Sequence, residues 1–521
     1  FRMSTRRRPV STAPGFLIAL PRASGVSGIT TWAVRLLSGL AQRGRIAGVV
    51  LHGYDPAPAL PPGVSVYRVD PRRCIDTLEG DLSSIAPAYR DAVRDMMAQS
   101  AGPVILSPNH TGDCYGVAAE LLRDDALDVR IVGWAHSDNA YDAAVLAHYE
   151  PVLSRCVGVS SYLAGVLADR MTGRAHHAVY IPYGVPCAQT EPPRDQGSDE
   201  VLRLMYAGRL EERQQRATAL LALARRLVKL GVPHRLDIFG DGPLIDAFRA
   251  ARADLPSIAV HGAVGNAEIQ RALGEADALV LPSRYEGLSV AMLEAMAAGC
   301  APVIADVRSG AADAIEDGRT GLRVAAGPEA SPEEAGRMIA DAIARCPRGA
   351  IAKMGEAARA RAATEFGLDR HLDRVERMLD AAAAEPARRW PADRPTAFSG
   401  AGGGSGSTPE DAPERMLAAL RGCPGGRVVI HGTGRHTKEL EPVLFHGEHG
   451  TEIVAFTDDD PARWGDHVRG VPVLDPAAAG VTRATSVIIS SRIHEAEIWA
   501  RRAVYEGQGL RVLRLYGPAS Q

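Results

Sequence analysis

No apolar run in the 521-residue chain approaches the roughly 20 residues that span a bilayer. A transmembrane segment is therefore not expected. Paired cysteines are missing as well. The seven cysteines (Cys74, Cys114, Cys156, Cys187, Cys300, Cys346 and Cys423) are odd in number, widely spaced and without a CxxC pair. That excludes a disulfide framework and a zinc site and fits reduced, buried thiols in a cytoplasmic protein. A surplus of charge is also absent. Lys plus Arg is 59 and Asp plus Glu is 62, which leaves −3. Duplex nucleic-acid binders carry a basic surplus, so nucleic acid drops out as a partner. The start of the chain is basic (Arg6, Arg7, Arg8) but lacks the apolar stretch of a signal peptide. It leaves a peripheral membrane contact open.

What remains is ordinary for a globular protein: 46% hydrophobic and 23% charged residues, in a chain long enough for about three domains. Short apolar β-branched runs alternate with longer Ala/Leu/Arg-rich helical stretches. The first set is Phe16–Leu20, Gly48–His52, Val104–Pro108, Arg130–His136, Cys156–Ser160 and Ala178–Pro182. The second is Leu202–Ala207, Arg235–Gly240, Ile258–His261, Ala278–Pro282 and Ala301–Ala305. Such runs between amphipathic helices predict parallel, doubly wound α/β sheets. Gln189–Glu200 reads as a linker and Ala401–Ser407 as a flexible tether. The expected division is a basic tail (1–15), a first Rossmann-like domain (16–190), a second (201–370), a returning helix (371–392), a Gly/Ser-rich linker (393–409) and a small Rossmann-like domain (410–521).

In parallel sheets ligands bind beyond the carboxyl ends of the strands. After Ala278–Pro282 comes Ser283-Arg-Tyr-Glu286-Gly287-Leu288-Ser289, then a helix carrying Glu294. Gly287 lets backbone approach a ligand. The helix start near Leu288 and Ser289 is a ready phosphate site. Glu294 can accept hydrogen bonds from the vicinal hydroxyls of a ribose. A hydrolytic carboxylate pair is the rival reading. Eight helical positions would separate Glu286 from Glu294 by about 12 Å, more than the roughly 5–9.5 Å of such pairs, which favours two separate binding roles.

Glu286 to Glu294, followed by Ala-Met-Ala-Ala-Gly-Cys-Ala-Pro-Val-Ile, resembles the E-x7-E motif of the family 4 retaining glycosyltransferases. Tyr206-Ala-Gly208-Arg209-Leu210, Gly240-Asp-Gly-Pro243, His261-Gly-Ala-Val264 and Asp317-Gly-Arg-Thr-Gly321 resemble further motifs of that family, in order. The resemblance implies a GT-B fold, two Rossmann-like domains facing across a cleft, plus the third small domain. It also implies transfer of a hexose-type sugar from a UDP- or GDP-sugar to a hydroxyl of a glycan, lipid or protein, with no cofactor or metal required. It assigns Arg209 to the donor diphosphate, Val264 to the base, Glu286 and His136 to the sugar, and Gly28 to donor phosphate and acceptor. Gly287, Leu288, Ser289 and Glu294 complete the donor site.

The family places a Lys five or six positions after the Arg, but here both positions are Gln (Gln214 and Gln215). Either Arg213 or Arg216 replaces that charge, or donor affinity is low. Gln215 is retained as a donor-site residue. Asp138 and Asn139 are the acceptor candidates. In the third unit Gly432, Gly434 and Asp458 form a nucleotide-binding pattern without its third glycine. Rival readings are a non-catalytic glycosyltransferase-like partner, a GT-B nucleotide-sugar epimerase and, for the third unit alone, an NAD-dependent oxidoreductase.

Overall fold

The computed structural model describes every residue except 1–12, 21–27, 53–59, 70–84, 110–111, 172, 188–200, 213, 397, 399–411, 424–425, 435, 438–439, 448, 460–462, 492–494 and 517–521. The expected linker 189–200, the tether 401–407, Arg6–Arg8 and Arg213 lie outside the described residues. The chain forms two compact units, one of Phe1–Pro71 with Ser83–Thr396 and one of Arg72–Leu82 with Ala397–Gln521.

The first unit holds two parallel sheets. One has seven strands in the order β3-β2-β1-β4-β5-β6-β7: β1 (Gly15–Leu20), β2 (Ala47–His52), β3 (Val64–Val69), β4 (Val104–Ser107), β5 (Val129–Ala135), β6 (Leu153–Gly158) and β7 (Ala178–Tyr180). The other has six in the order β10-β9-β8-β11-β12-β13: β8 (Leu202–Ala207), β9 (His234–Phe239), β10 (Ile258–Gly262), β11 (Ala278–Leu281), β12 (Ala301–Ala305) and β13 (Leu322–Val324). The central strands β1 and β11 are buried along their whole length, because helices cover both faces of such a sheet. Two edge strands escaped the sequence. In β3 (Val-Ser-Val-Tyr-Arg-Val) one residue is buried and the others are partly or fully exposed. β13 has only three residues.

The second unit carries its own six-stranded sheet, ordered β16-β17-β15-β14-β18-β19: β14 (Arg427–His431), β15 (Glu452–Thr457), β16 (His467–Val468), β17 (Val471–Leu474), β18 (Ser486–Ile489) and β19 (Arg511–Arg514). Its pairs are parallel except β16 with β17. The third sheet is thus Rossmann-like. Among the described residues no helix is long and apolar enough to cross a membrane.

Within the first unit, the chain crosses between the two sheets twice, and the crossings touch. Val185 pairs with Gly367 in a parallel bridge. The Val185 N–H donates to the Phe366 carbonyl at 2.9 Å, and the Leu368 N–H donates to the Val185 carbonyl at 3.0 Å. The helix Leu368–Ala383 then lies against the first sheet. It buries His371, Leu372, Val375, Met378, Leu379 and Ala382. Leu372 fills the notch at Gly39, where a Cβ would stand 2.4 Å from its Cδ1. The indole N–H of Trp32 donates to His371 Nε2 at 3.0 Å, and the other ring nitrogen of His371 lies 2.7 Å from the Pro182 carbonyl.

Burial lowers the pKa of His371 and of His52 to about 4. Both rings fold neutral, whereas the unfolded chain protonates them near pH 6.5. Their stabilisation is full above that pH and is lost as pH falls toward 4. The loss approaches about 3 kcal/mol for each ring. Thermal melts between pH 7.5 and 4 should show this slope, and His52→Gln should remove about half of it.

Candidate active site

The loop after β11 builds the centre of the cleft. Ser289 caps the helix Val290–Ala297 by accepting from the Met292 N–H at 3.3 Å. The first-turn N–H groups of Val290 and Ala291 have no partner inside the helix, and with the helix dipole they favour an anion. Facing this start is the start of the helix Gly28–Gln42 in the first half. A Cβ at Gly28 would stand 3.4 Å from Val290 Cγ2. One position before the capping loop, the fit is tighter. A Cβ at Gly287 would stand 2.0 Å from the His136 carbonyl oxygen. Only glycine lets this loop sit on the end of β5, and that contact brings Glu286 and His136 to one place.

His136 is buried. Its Nδ1 lies 2.6 Å from the Tyr183 hydroxyl and its Nε2 lies 2.6 Å from Asn109 Oδ1. Nε2 therefore donates to the amide oxygen, which can only accept, and Nδ1 accepts from the phenol. Trp32, Trp134 and Tyr183 surround the ring, with Trp134 and Tyr183 stacked on it. Asn109 was not legible from the sequence. It sits at φ 70°, a conformation Asn tolerates better than most residues, and its buried amide nitrogen has no hydrogen-bond partner among the described residues.

Glu286 meets Gln215, whose amide donates to its Oε1 at 3.4 Å. The Ser283 hydroxyl donates to Gln215 Oε1 at 3.3 Å. Burial raises the Glu286 carboxyl pKa. Hydrogen bonds from Ser283 and Gln215 oppose that rise, and repulsion from Glu211 adds to it. Gln214 is tied to the same loop through its carbonyl, which accepts from the Arg284 N–H at 2.8 Å. The cavity lined by Ser283, Glu286, Ser289 and Ser309 holds about 20 Å³, room for one water.

Arg209 is exposed at the end of β8. Its segment is shaped by close backbone approaches. Gly240 lies at φ 138°, where a Cβ would stand 1.8 Å from the Gly208 carbonyl oxygen, and the Leu210 N–H donates to the Asp241 carbonyl at 2.9 Å. Arg216, one of the two expected substitutes for the missing Lys, is fully buried. Its guanidinium donates to the carbonyls of Gly327 (3.1 Å), Ala330 (3.1 Å), Ser283 (3.2 Å) and Ala326 (3.4 Å). It therefore serves as a brace beneath the loop.

Glu294 is buried within the cleft wall. Its Oε1 accepts from Asn266 Nδ2 at 3.3 Å and is paired with the guanidinium of Arg35, which comes from the first half. Neither Asn266 nor Arg35 was singled out in the sequence. Val264 lies partly buried ahead of the helix Asn266–Glu275. Of the acceptor candidates, Asn139 caps the helix Ala140–Tyr149 by accepting from the Asp142 N–H at 2.7 Å. Asp138 is partly buried beside it.

In the second unit Asp458 holds the turn of Gly432 and Gly434 closed. Its carboxylate accepts from the Thr433 N–H at 3.0 Å and hydroxyl at 2.5 Å. The larger space there, about 330 Å³, lies beside His431, Asp459, Trp464, Asp475 and Arg501.

Two parallel Rossmann-like sheets that meet at Gly28–Val290 and at His136–Gly287 define the GT-B class. Residues 202–344 match the family model of Glycosyl transferases group 1. The glycogen synthase of Mycobacterium tuberculosis is 35% identical over 167 residues, which is 31% of this chain and 38% of that protein. The alpha-D-kanosaminyltransferase of Streptomyces kanamyceticus is 30% identical over 152 residues, 29% of this chain and 37% of that one. The chain thus spans under two fifths of the length of these relatives. Among solved structures, Anabaena HepE in complex with UDP and glucose aligns with a TM-score of 0.53 at 16% identity, over 70% of this chain and 99% of HepE. Together the findings support the GT-B fold and a likeness of residues 202–344 to the group 1 glycosyl transferases.

Proposed function

We propose that the chain is a retaining, family 4-like glycosyltransferase that moves a hexose-type sugar from a nucleoside-diphosphate sugar to an acceptor hydroxyl. The observation that carries this reading is the seating of Gly287 on the His136 carbonyl, which unites Glu286, His136 and the Ser289 helix start. The matched family segment contains all of these but His136. In this reading residues 201–370 form the donor side and 16–190 the acceptor side. Arg209 and the N–H groups after Ser289 hold the diphosphate. Glu294 holds the ribose, Val264 borders the base, and Glu286 and His136 orient the sugar.

The departing diphosphate takes the acceptor proton, so the protein positions the reactants and stabilises the leaving charge. Gln215 acts by holding Glu286. A UDP-sugar is the first donor to try, because the aligned HepE structure holds UDP and glucose. No metal or cofactor enters the scheme. A glycan, lipid or protein hydroxyl as acceptor, a role in polysaccharide biosynthesis and a cytoplasmic location belong to the same reading.

A nucleotide screen tests the donor site. Melting is followed with UDP, GDP, ADP and TDP. A ligand at about 100 times its dissociation constant adds roughly 2.7 kcal/mol of stability. One nucleotide should raise the melting temperature, and Glu294→Ala should remove the rise. A second reading, a non-catalytic partner protein, is favoured by the neutral Gln214 and Gln215 and by the buried Arg216. It requires that no nucleotide shifts the melt and that no donor gives product.

A further inference from the structure

Among the described residues, the donor site as built so far is short of one positive charge. Gln214 and Gln215 are neutral, and Arg216 is engaged by four backbone carbonyls. Lysine is scarce in this chain. It occurs only at 229, 353 and 438, the first two within the helices Ala219–Lys229 and Arg348–Glu365 and the third in the other unit. A guanidinium does reach the site, and it comes from the opposite half.

Arg35, on the helix that Gly28 opens, crosses to Glu294, and its Nη2 also donates to Asn266 Oδ1 at 3.3 Å. Its side chain is 13% exposed. Its second terminal nitrogen, Nη1, is buried and has no hydrogen-bond partner among the described residues. A buried donor left unpaired is costly, and an oxyanion brought next to it would supply the missing acceptor. Arg35 also occupies the carboxylate that the ribose is proposed to use.

We propose that Arg35 is the diphosphate-binding cation of this enzyme, delivered from the first half in place of the family's lysine. Incoming ribose hydroxyls take over Glu294, and the released guanidinium turns along the helix Val290–Ala297 to the phosphates. Glu294 stands five positions after Ser289, about 7.5 Å along the axis, and that is the distance the guanidinium has to shift. The inference rests on the donor-site reading above.

The test measures dissociation constants of UDP and of uridine for the full chain, wild type and Arg35→Gln. UDP should bind the variant about tenfold more weakly, whereas uridine, which has no phosphate and no longer competes with Arg35 for Glu294, should bind as well or better. Introducing the family's lysine (Gln214→Lys) into the Arg35→Gln background should restore UDP binding. A merely structural role for Arg35 would not produce that rescue. If both ligands weaken by one factor, or UDP tightens, the proposal is overturned while the donor-site reading stands. If wild type binds neither, the donor-site reading itself fails. Should Arg35→Gln melt too early to titrate, Arg35→Lys replaces it, with a smaller UDP loss expected and uridine again unaffected.

Discussion

Glu286→Gln should lower sugar transfer by about a hundred- to a thousandfold and at the same time make the protein more heat-stable at neutral pH. The two effects have one cause. Burial raises the carboxyl pKa of Glu286, and the hydrogen bonds of Ser283 and Gln215 do not fully offset it. For a carboxyl whose folded pKa lies above its unfolded value, stability is full below the ordinary Glu range. It is lost as pH rises through the folded value, because a charge is then held in a desolvated place. The neutral amide escapes that loss. Its melting advantage should be absent near pH 4 and grow as pH rises toward 7. Rate and melting profile over this range check both halves. Wild-type turnover would remove Glu286 from the site, and a melting difference independent of pH would show that its burial does not disfavour the ionised form.

Gly287→Ala should be nearly as damaging through geometry alone. The added methyl would stand 2.0 Å from the His136 carbonyl oxygen and 3.1 Å from Ser137 Cα. Restoring ordinary contact moves the loop away from β5 by about 1 Å or more, a misplacement that costs on the order of a hundredfold in rate. The three atoms nearest the added methyl belong to His136 and Ser137, so the proposed nucleotide contacts of Glu294 and Val264 are left in place. Transfer should therefore collapse while the melting rise with nucleotide persists. Equal loss of both would mean that the variant has lost its donor site, and full activity would mean that the contact with His136 is not part of the working enzyme.

Much of this arrangement was legible in the sequence, and the exceptions share a physical reason. Buried strands such as Phe16–Leu20, Leu202–Ala207 and Ala301–Ala305 announce themselves because both faces are apolar. β3 and β13 do not, because an edge strand needs fewer apolar residues. Glu286, Gly287, Ser289 and Glu294 were visible because one short segment carries a loop, a cap and a helix in register. Asn109, Asn266 and Arg35 were not. Each acts through a partner far along the chain: His136, Glu294, and Glu294 again, 259 positions from Arg35. The first two pairings are set by how the loops of one half come together and the third by how the two halves face one another, and no local pattern encodes either. Arg216 shows the converse limit. Its place beside the missing lysine suggested a phosphate ligand, whereas the fold turns its side chain inward to four carbonyls.

The bridge between Val185 and Gly367 has a mechanical meaning. Because the two chain crossings are bonded side by side, the halves of the first unit are pinned together at one place. Sliding one half past the other there would break the Val185–Phe366 and Leu368–Val185 hydrogen bonds. Glu286 and Ser289 belong to one half and His136 and Gly28 to the other, so this pin helps to keep the four residues in register.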